Sequence, residues 1–145
     1  MISPSPGPSP RIKDAVWAYT LFRLTLGVNI AMHGLVRIAR PVAFAQSLSS
    51  TFKGTPLPPG FLSIFQAVLP WAEGLVGIAV FLGLCTRWAL IAGATLMIML
   101  TFGSTLAQKW DMAGIQLPYA IAYWILLTFS ERNVLSLDML LKRRR

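Results

Sequence analysis

The sequence contains very few of the residues from which most catalytic centres and metal sites are built. Its 145 residues include one histidine, one cysteine and five acidic side chains. The lone Cys85 excludes a disulfide or a Cys-x-x-Cys redox pair within the chain, and the lone His33 excludes a bis-histidine haem or a multi-histidine metal site. A haem held by one histidine and one methionine stays open. No dinucleotide-binding glycine motif and no P-loop is present, so we expect no metal and no covalently bound cofactor.

Charged residues are scarce as well, and long apolar runs take their place. Only 12% of the residues are charged, 55% are hydrophobic and the mean hydropathy is +0.63, whereas soluble domains carry roughly a quarter of charged residues. Bilayer crossing needs about 20 mostly apolar residues, and the stretches that qualify are 15–39, 61–84, 88–107 and 112–129. Each crossing must be helical because lipid cannot satisfy unpaired backbone groups. The pattern predicts an all-α integral membrane four-helix bundle in which neighbouring helices are antiparallel.

Three segments lie outside these runs. Residues 1–14 are proline-rich and predict a disordered tail, and the apolar run behind them is too long for a cleaved signal peptide. Residues 41–52 begin with Pro41 and repeat apolar side chains at steps of three and four, which predicts a surface helix. That helix is either a plain connector or a lid over a site. Residues 131–145 form a basic amphipathic tail that we expect to bind anionic lipids.

Basic residues near the helix ends predict the orientation in the membrane. Four crossings place both termini on one side, together with Arg11, Lys13, Arg87, Arg132, Lys142, Arg143, Arg144 and Arg145. The opposite side has Arg37, Arg40, Lys53 and Lys109. Because the more basic side is cytoplasmic, both termini are predicted to be cytoplasmic. Much of the net charge of +8 is then a topology signal, and no nucleic-acid partner is expected.

A few polar side chains interrupt the apolar runs, and such groups are functional by default in a membrane. The rise of 1.5 Å per helical residue puts Arg23 and Glu73 at similar depths from the cytoplasmic side, so we expect them to form an ion pair. His33 and Gln66 are both expected near the outer interface.

Two trios of polar or helix-breaking residues each share one helix face, because they are spaced by three or four residues. The first trio is Asn29, His33 and Arg37, and the second is Gln66, Pro70 and Glu73. Side chains that could complete a polar interior on the last two helices are Thr101, Ser104, Thr105, Tyr119 and Tyr123.

Three stretches, in order, resemble a known family. They are FRLTLGVNIAMHGLVRI, LPPG and LPWAEGLVGIAVFLGLCTRWALIAG. Over about residues 17–129 the chain resembles the DoxX family of small four-helix membrane proteins, whose pattern has an arginine in helix one and a glutamate followed by a G-L-x-T-R turn. The matching polar positions are Arg23, His33, Glu73 and Arg87, and Arg37 stands where lysine is frequent. The resemblance implies a multi-pass protein of a bacterial-type inner membrane.

Members of that family resemble the small subunit of thiosulfate:quinone oxidoreductase and subunits linked to terminal quinol oxidation, which leads to a first hypothesis. The chain would be a small subunit of a quinone-linked oxidoreductase complex, in which Glu73 relays a proton and His33 or Gln66 hydrogen-bonds a quinone carbonyl. The other polar-site residues would be Arg23, Asn29 and Arg37. The quinone would be bound without a covalent link.

A second hypothesis is a non-catalytic structural or anchoring subunit, in which the intramembrane charges fix helix packing. Both hypotheses imply a partner redox subunit or a homo-oligomer. Transport is a third class, for which broken helices or a longer polar pathway would be expected, and neither is obvious beyond Pro70.

Overall fold

The computed structural model describes residues 10–144, and this part of the chain is all-helical. The elements are α1 (Pro10–Ala39), α2 (Pro41–Thr51), α3 (Pro59–Leu82), α4 (Thr86–Leu106), α5 (Trp110–Thr128), a 3-10 turn (Ser130–Arg132) and α6 (Leu137–Arg143). The predicted helical class is confirmed. The first helix begins at Pro10, five residues before the predicted start, and proline suits a first helical turn. The rest of the predicted tail, residues 1–9, lies outside the described residues.

Proline and glycine set the boundaries of the central helices. Pro41 and Pro59 occupy first-turn positions of α2 and α3, where a missing N–H costs no hydrogen bond. α3 ends at Gly83, whose φ of 67° is left-handed, and the Leu84 N–H donates to the Ala79 carbonyl at 3.0 Å. This is a Schellman-type ending, which uses glycine because other residues strain at that φ.

Two antiparallel helix pairs, α1 with α3 and α4 with α5, make up most of the fold, and α3 joins them by packing on α4. A Cβ at Gly77 would overlap the backbone of Ala31, so α1 and α3 approach backbone to backbone, as small residues allow in membranes. Between the pairs lies a buried core that includes Leu26, Val80 and Leu90.

Within residues 10–144, three helical segments are long and apolar enough to cross a bilayer: Lys13–Ala39, Gly60–Leu82 and Thr86–Leu106. Large apolar side chains such as Ile64, Trp88 and Ile98 point outward, which is the surface expected against lipid. The chain is thus a multi-pass membrane protein. α5 has 19 residues and contains Asp111 and Pro118, which lower its mean hydropathy. The fourth crossing therefore stays a prediction.

Candidate functional site

The carboxylate of Glu73 is paired with Arg37. Arg37 Nη1 donates to Glu73 Oε2, and the Glu73 side chain is only 4% exposed. The guanidinium carbon of Arg37 also lies 5.0 Å from the ring centre of Phe44, a cation–π contact. Since these residues come from α3, α1 and α2 in turn, Arg37 ties the surface helix to the buried acid.

The predicted ion pair between Arg23 and Glu73 is wrong. α1 and α3 run antiparallel with Gly34 against Gly74, so Glu73 lies beside the C-terminal part of α1. Arg23 is eleven residues, or about 16 Å, farther along that helix. The depth estimate failed because it set the ends of the two helices level, whereas α1 extends well past the end of α3.

Arg23 instead makes its hydrogen bonds at the opposite end of the molecule. It is 2% exposed, and its Nη1 donates to the carbonyls of Val80 at 2.6 Å and Phe81 at 2.5 Å. Its Nη2 donates to the Leu135 carbonyl at 2.9 Å. Those carbonyls belong to the last turn of α3 and to the segment before α6. Arg23 therefore holds the end of α3 and the C-terminal segment together, and it takes no part in the Glu73 site.

A cavity of about 230 Å³, the central cavity, lies beside the Arg37–Glu73 pair. Its polar lining consists of His33, Arg37, Glu73, Gln116 and Tyr119. Its apolar lining consists of Ile30, Met97, Leu100, Met112 and Ile115. The cavity thus combines four charged or titratable groups with an apolar wall, in the part of the bundle where α5 faces α1.

Hydrogen-bonding capacity is left over in this cavity. Gln116 donates from Nε2 to Ser104 Oγ at 2.9 Å, but its Oε1 is buried and accepts nothing from the described residues. Tyr119 donates its hydroxyl to Asn29 Oδ1 at 3.0 Å. His33 interacts electrostatically with Glu73. A buried acceptor without a donor is costly, and among the described residues that line this cavity Gln116 is the one that has such an acceptor.

Sequence reasoning missed Gln116 as a site residue, although it proposed Ser104 and Tyr119 for the polar interior. The available signal was spacing: Gln116 and Tyr119 are three residues apart on one face of α5. Of the predicted trio Asn29, His33 and Arg37, all three border one groove along α1, so the shared face is confirmed.

Gln66 does not reach the central cavity. It borders a separate groove between α2 and α3, together with Phe44, Pro70 and Arg37. His33 and Gln66 therefore line different spaces, and Arg37 stands between them. No group of three or more metal-ligating side chains that could hold a metal ion occurs in residues 10–144.

A second polar cluster explains the G-L-x-T-R turn between α3 and α4. Asp138 of α6 accepts the Cys85 N–H at 2.7 Å, the Thr86 N–H at 2.8 Å and the Thr86 hydroxyl at 2.7 Å. Partial burial raises the pKa of Asp138, but these hydrogen bonds and the charge of Lys142 outweigh it and lower that pKa below its ordinary value. Asp138 thus caps the first turn of α4 from a distance of some fifty residues along the chain.

Fold and site together define a helical multi-pass membrane protein with a polar cavity between its helices. A family model described as methylamine utilisation protein MauE matches residues 15–116, which is more than half of the chain. The protein belongs to the MauE family, a family of membrane proteins. The match does not extend to the DoxX family indicated by the motif resemblance. No curated protein and no solved structure matches the chain.

Proposed function

We propose that this protein is a small membrane subunit or accessory protein of a redox system, and that its central cavity binds the head group of a quinone. The observation that carries the proposal is the lining of the central cavity. It offers donors from Arg37 and His33, and it offers acceptors from Glu73 and the unpartnered Gln116 Oε1. Membership in a family described by methylamine utilisation agrees with an accessory role.

A quinone fits this lining chemically. Its carbonyls accept hydrogen bonds, the hydroxyls of its reduced form donate them, and its ring is apolar. The residues present can meet all three needs, because Gln116 Oε1 accepts, Arg37 and His33 donate, and Ile30 and Leu100 supply apolar contact. When bound, a quinone supplies two-electron redox chemistry coupled to protons.

Glu73 is the residue suited to move a proton in this cavity. Only its Oε2 is hydrogen-bonded among the described residues, so Oε1 is available to a ligand. Arg37 holds the carboxylate in place, and His33 lines the same cavity, where a ligand could contact both side chains. In this role Glu73 accepts a proton at Oε1, and Arg37 keeps the charged form stable between transfers.

We also propose that the chain crosses the membrane four times. α5 forms a fourth crossing, since 19 residues span about 28 Å and α5 packs along α4. Both termini are then cytoplasmic in a bacterial-type inner membrane. α6 exposes Leu140 and Leu141 beside Lys142 and Arg143, a pattern that favours anionic lipid. We also propose that the chain is related to DoxX proteins, because the three motifs occur in the same order in both.

The second candidate function is a structural subunit that assembles with a redox partner or with copies of itself. The observation that favours it is the self-neutralising character of the Arg37–Glu73 pair. Its charge needs no ligand, and buried ion pairs can serve packing alone.

Quinone titration of the purified protein in nanodiscs separates the two functions. The reduced quinol form of a short-chain benzoquinone, titrated without oxygen, should change tryptophan fluorescence saturably, and Gln116→Leu should weaken its binding about two- to tenfold, the worth of the hydrogen bond that a quinol hydroxyl donates to Gln116 Oε1. Gln66→Leu is the matched control, because it makes the same chemical change in the separate groove. Absence of saturable binding, or equal losses in both variants, would refute the quinone site.

A further inference from the structure

Two further spaces lie in series between the central cavity and the surface of the bundle. A middle cavity of about 230 Å³ shares Arg37, Leu100 and Gln116 with the central cavity. A lateral groove of about 70 Å³ between α3 and α4 then shares Phe52, Phe65 and Gly103 with the middle cavity. Each space in the series is therefore adjacent to the next.

Polar side chains line the two inner spaces but not the outer one. The central cavity has the Arg37–Glu73 pair, and the middle cavity shares Arg37 and Gln116 with it and adds the hydroxyls of Ser47, Thr51 and Ser104. The lateral groove is apolar throughout. Its outer residues Phe61 and Phe102 are 46% and 66% exposed, and both lie on candidate membrane-spanning helices. The groove thus opens where acyl chains would lie.

Gly103 lines both the middle cavity and the lateral groove. A Cβ at this position would lie 3.2 Å from Cζ of the Phe52 ring, so the ring lies against this glycine where the two spaces meet. A larger side chain here would take up the space beside the ring.

We propose that the three spaces form one lateral slot for an amphiphile, with its polar head in the central cavity and a linear apolar tail leaving past Gly103 into the bilayer. This inference rests on the proposed quinone site and assigns its substrate class, a lipid-soluble quinone with a long tail that enters sideways from the membrane. Gly103 and Phe52 are the residues that admit the tail. The difference in polarity between the inner spaces and the groove fixes the orientation of the ligand. Burying the polar head in the apolar groove would cost free energy, and the apolar tail gains no favourable contact beside the charged pair.

The test uses two benzoquinones with the same ring, one without a tail and one with a decyl tail, titrated into the protein in nanodiscs. Binding of the decyl compound is corrected for its partition into protein-free nanodiscs. We expect it to bind at least tenfold more tightly than the tailless compound. Gly103→Leu should abolish that advantage and leave the tailless affinity unchanged, which also proves that the variant is folded.

Gly114→Leu is the matched control, because a Cβ at Gly114 meets no atom within 4 Å; it should preserve the tenfold advantage. Equal affinity of the two quinones, unaffected by Gly103→Leu, would overturn the slot while leaving the head-group site intact. Failure of both quinones to bind would overturn the proposed function and the slot with it.

A measurement on the unaltered protein gives an independent check. A decyl quinone with a photoreactive diazirine at the end of its tail should label peptides that contain residues 61–65 and 99–103, next to the lateral groove. Labelling confined to the outer face of α5, around Ile121 and Trp124, would contradict the proposed exit.

Discussion

Arg37 stands at the junction of four spaces: it borders the central cavity, the middle cavity, the groove of Gln66 and the groove of Asn29. Its side chain is 28% exposed, whereas that of its partner Glu73 is 4% exposed. Arg37 and Glu73 would therefore respond differently if the partner side chain were removed. A free arginine can turn toward water or the interface, but a free buried carboxylate cannot.

This difference leads to an asymmetric prediction. Arg37→Ala should destabilise the protein by about 3 kcal/mol, because it leaves a buried carboxylate without a partner. Glu73→Ala should cost about 1 kcal/mol, and the double variant should cost less than the two single losses combined. The measurement is reversible unfolding of detergent-solubilised protein by denaturing surfactant. Arg23→Ala combined with Glu73→Ala is the control pair, for which additive losses are expected because those residues lie far apart.

Among the helices, α6 is short, but it supplies hydrogen bonds that hold the turn between α3 and α4. It has seven residues and none of them is buried, so its own packing adds little. Its Asp138 nevertheless supplies the acceptors for the first N–H groups of α4, and the Asp138 N–H donates to the Gly83 carbonyl at 3.0 Å. The α3–α4 turn and α6 thus each supply hydrogen-bond partners for the backbone of the other.

The lowered pKa of Asp138 makes this contact dependent on pH. A carboxyl group with a lowered pKa in the folded state stabilises the fold above its unfolded pKa, and that stability is lost as pH falls through the folded pKa. Asp138→Asn should therefore lower the melting temperature near pH 7, by an amount that corresponds to about 1 kcal/mol for a helix cap. The deficit should shrink once the pH falls below the ordinary value of 3.8.

Asp111→Asn serves as the control for that experiment, because Asp111 is exposed in the first turn of α5 and accepts no hydrogen bond from the described residues. Its effect on the melting temperature should stay small across the same pH range. A deficit for Asp138→Asn that is constant between pH 3 and pH 7 would contradict the role assigned to the charge.

The molecule as a whole has a basic and a less basic end, which is the basis of the topology proposal. Reporters fused after Arg145 and inserted beside Arg87 are expected to be cytoplasmic, and a reporter between Lys53 and Gly60 should be outside. Alkaline phosphatase and green fluorescent protein fusions provide the two complementary readouts. A cytoplasmic signal from the loop between Lys53 and Gly60 would invert the model, and opposite sides for the two termini would remove α5 as a crossing.

Much of this fold follows from local sequence, but its site depends on how the helices are shifted along one another. The surface helix was predicted at residues 41–52 and occurs at Pro41–Thr51, because Pro41 and the apolar spacing are local signals. The partner of Glu73 was predicted wrongly, because hydropathy does not report the axial shift of two helices. That shift is set by glycine contacts such as Gly34 on Gly74. Gln116 was missed because its significance lies in an acceptor left unpaired by the fold.

The position of Arg23 has a consequence for the order in which the protein is made. Its hydrogen bond to Leu135 joins residues 112 positions apart, and at roughly 5–20 residues per second the ribosome needs on the order of 10 s to cover that distance. The Arg23 guanidinium can gain the Val80 and Phe81 carbonyls only once α3 has been synthesised, and it lacks the Leu135 carbonyl until the end of the interval. The first N–H groups of α4 likewise lack their Asp138 acceptors until that residue is added, so the hydrogen bonds at this end of the molecule are the last to be completed.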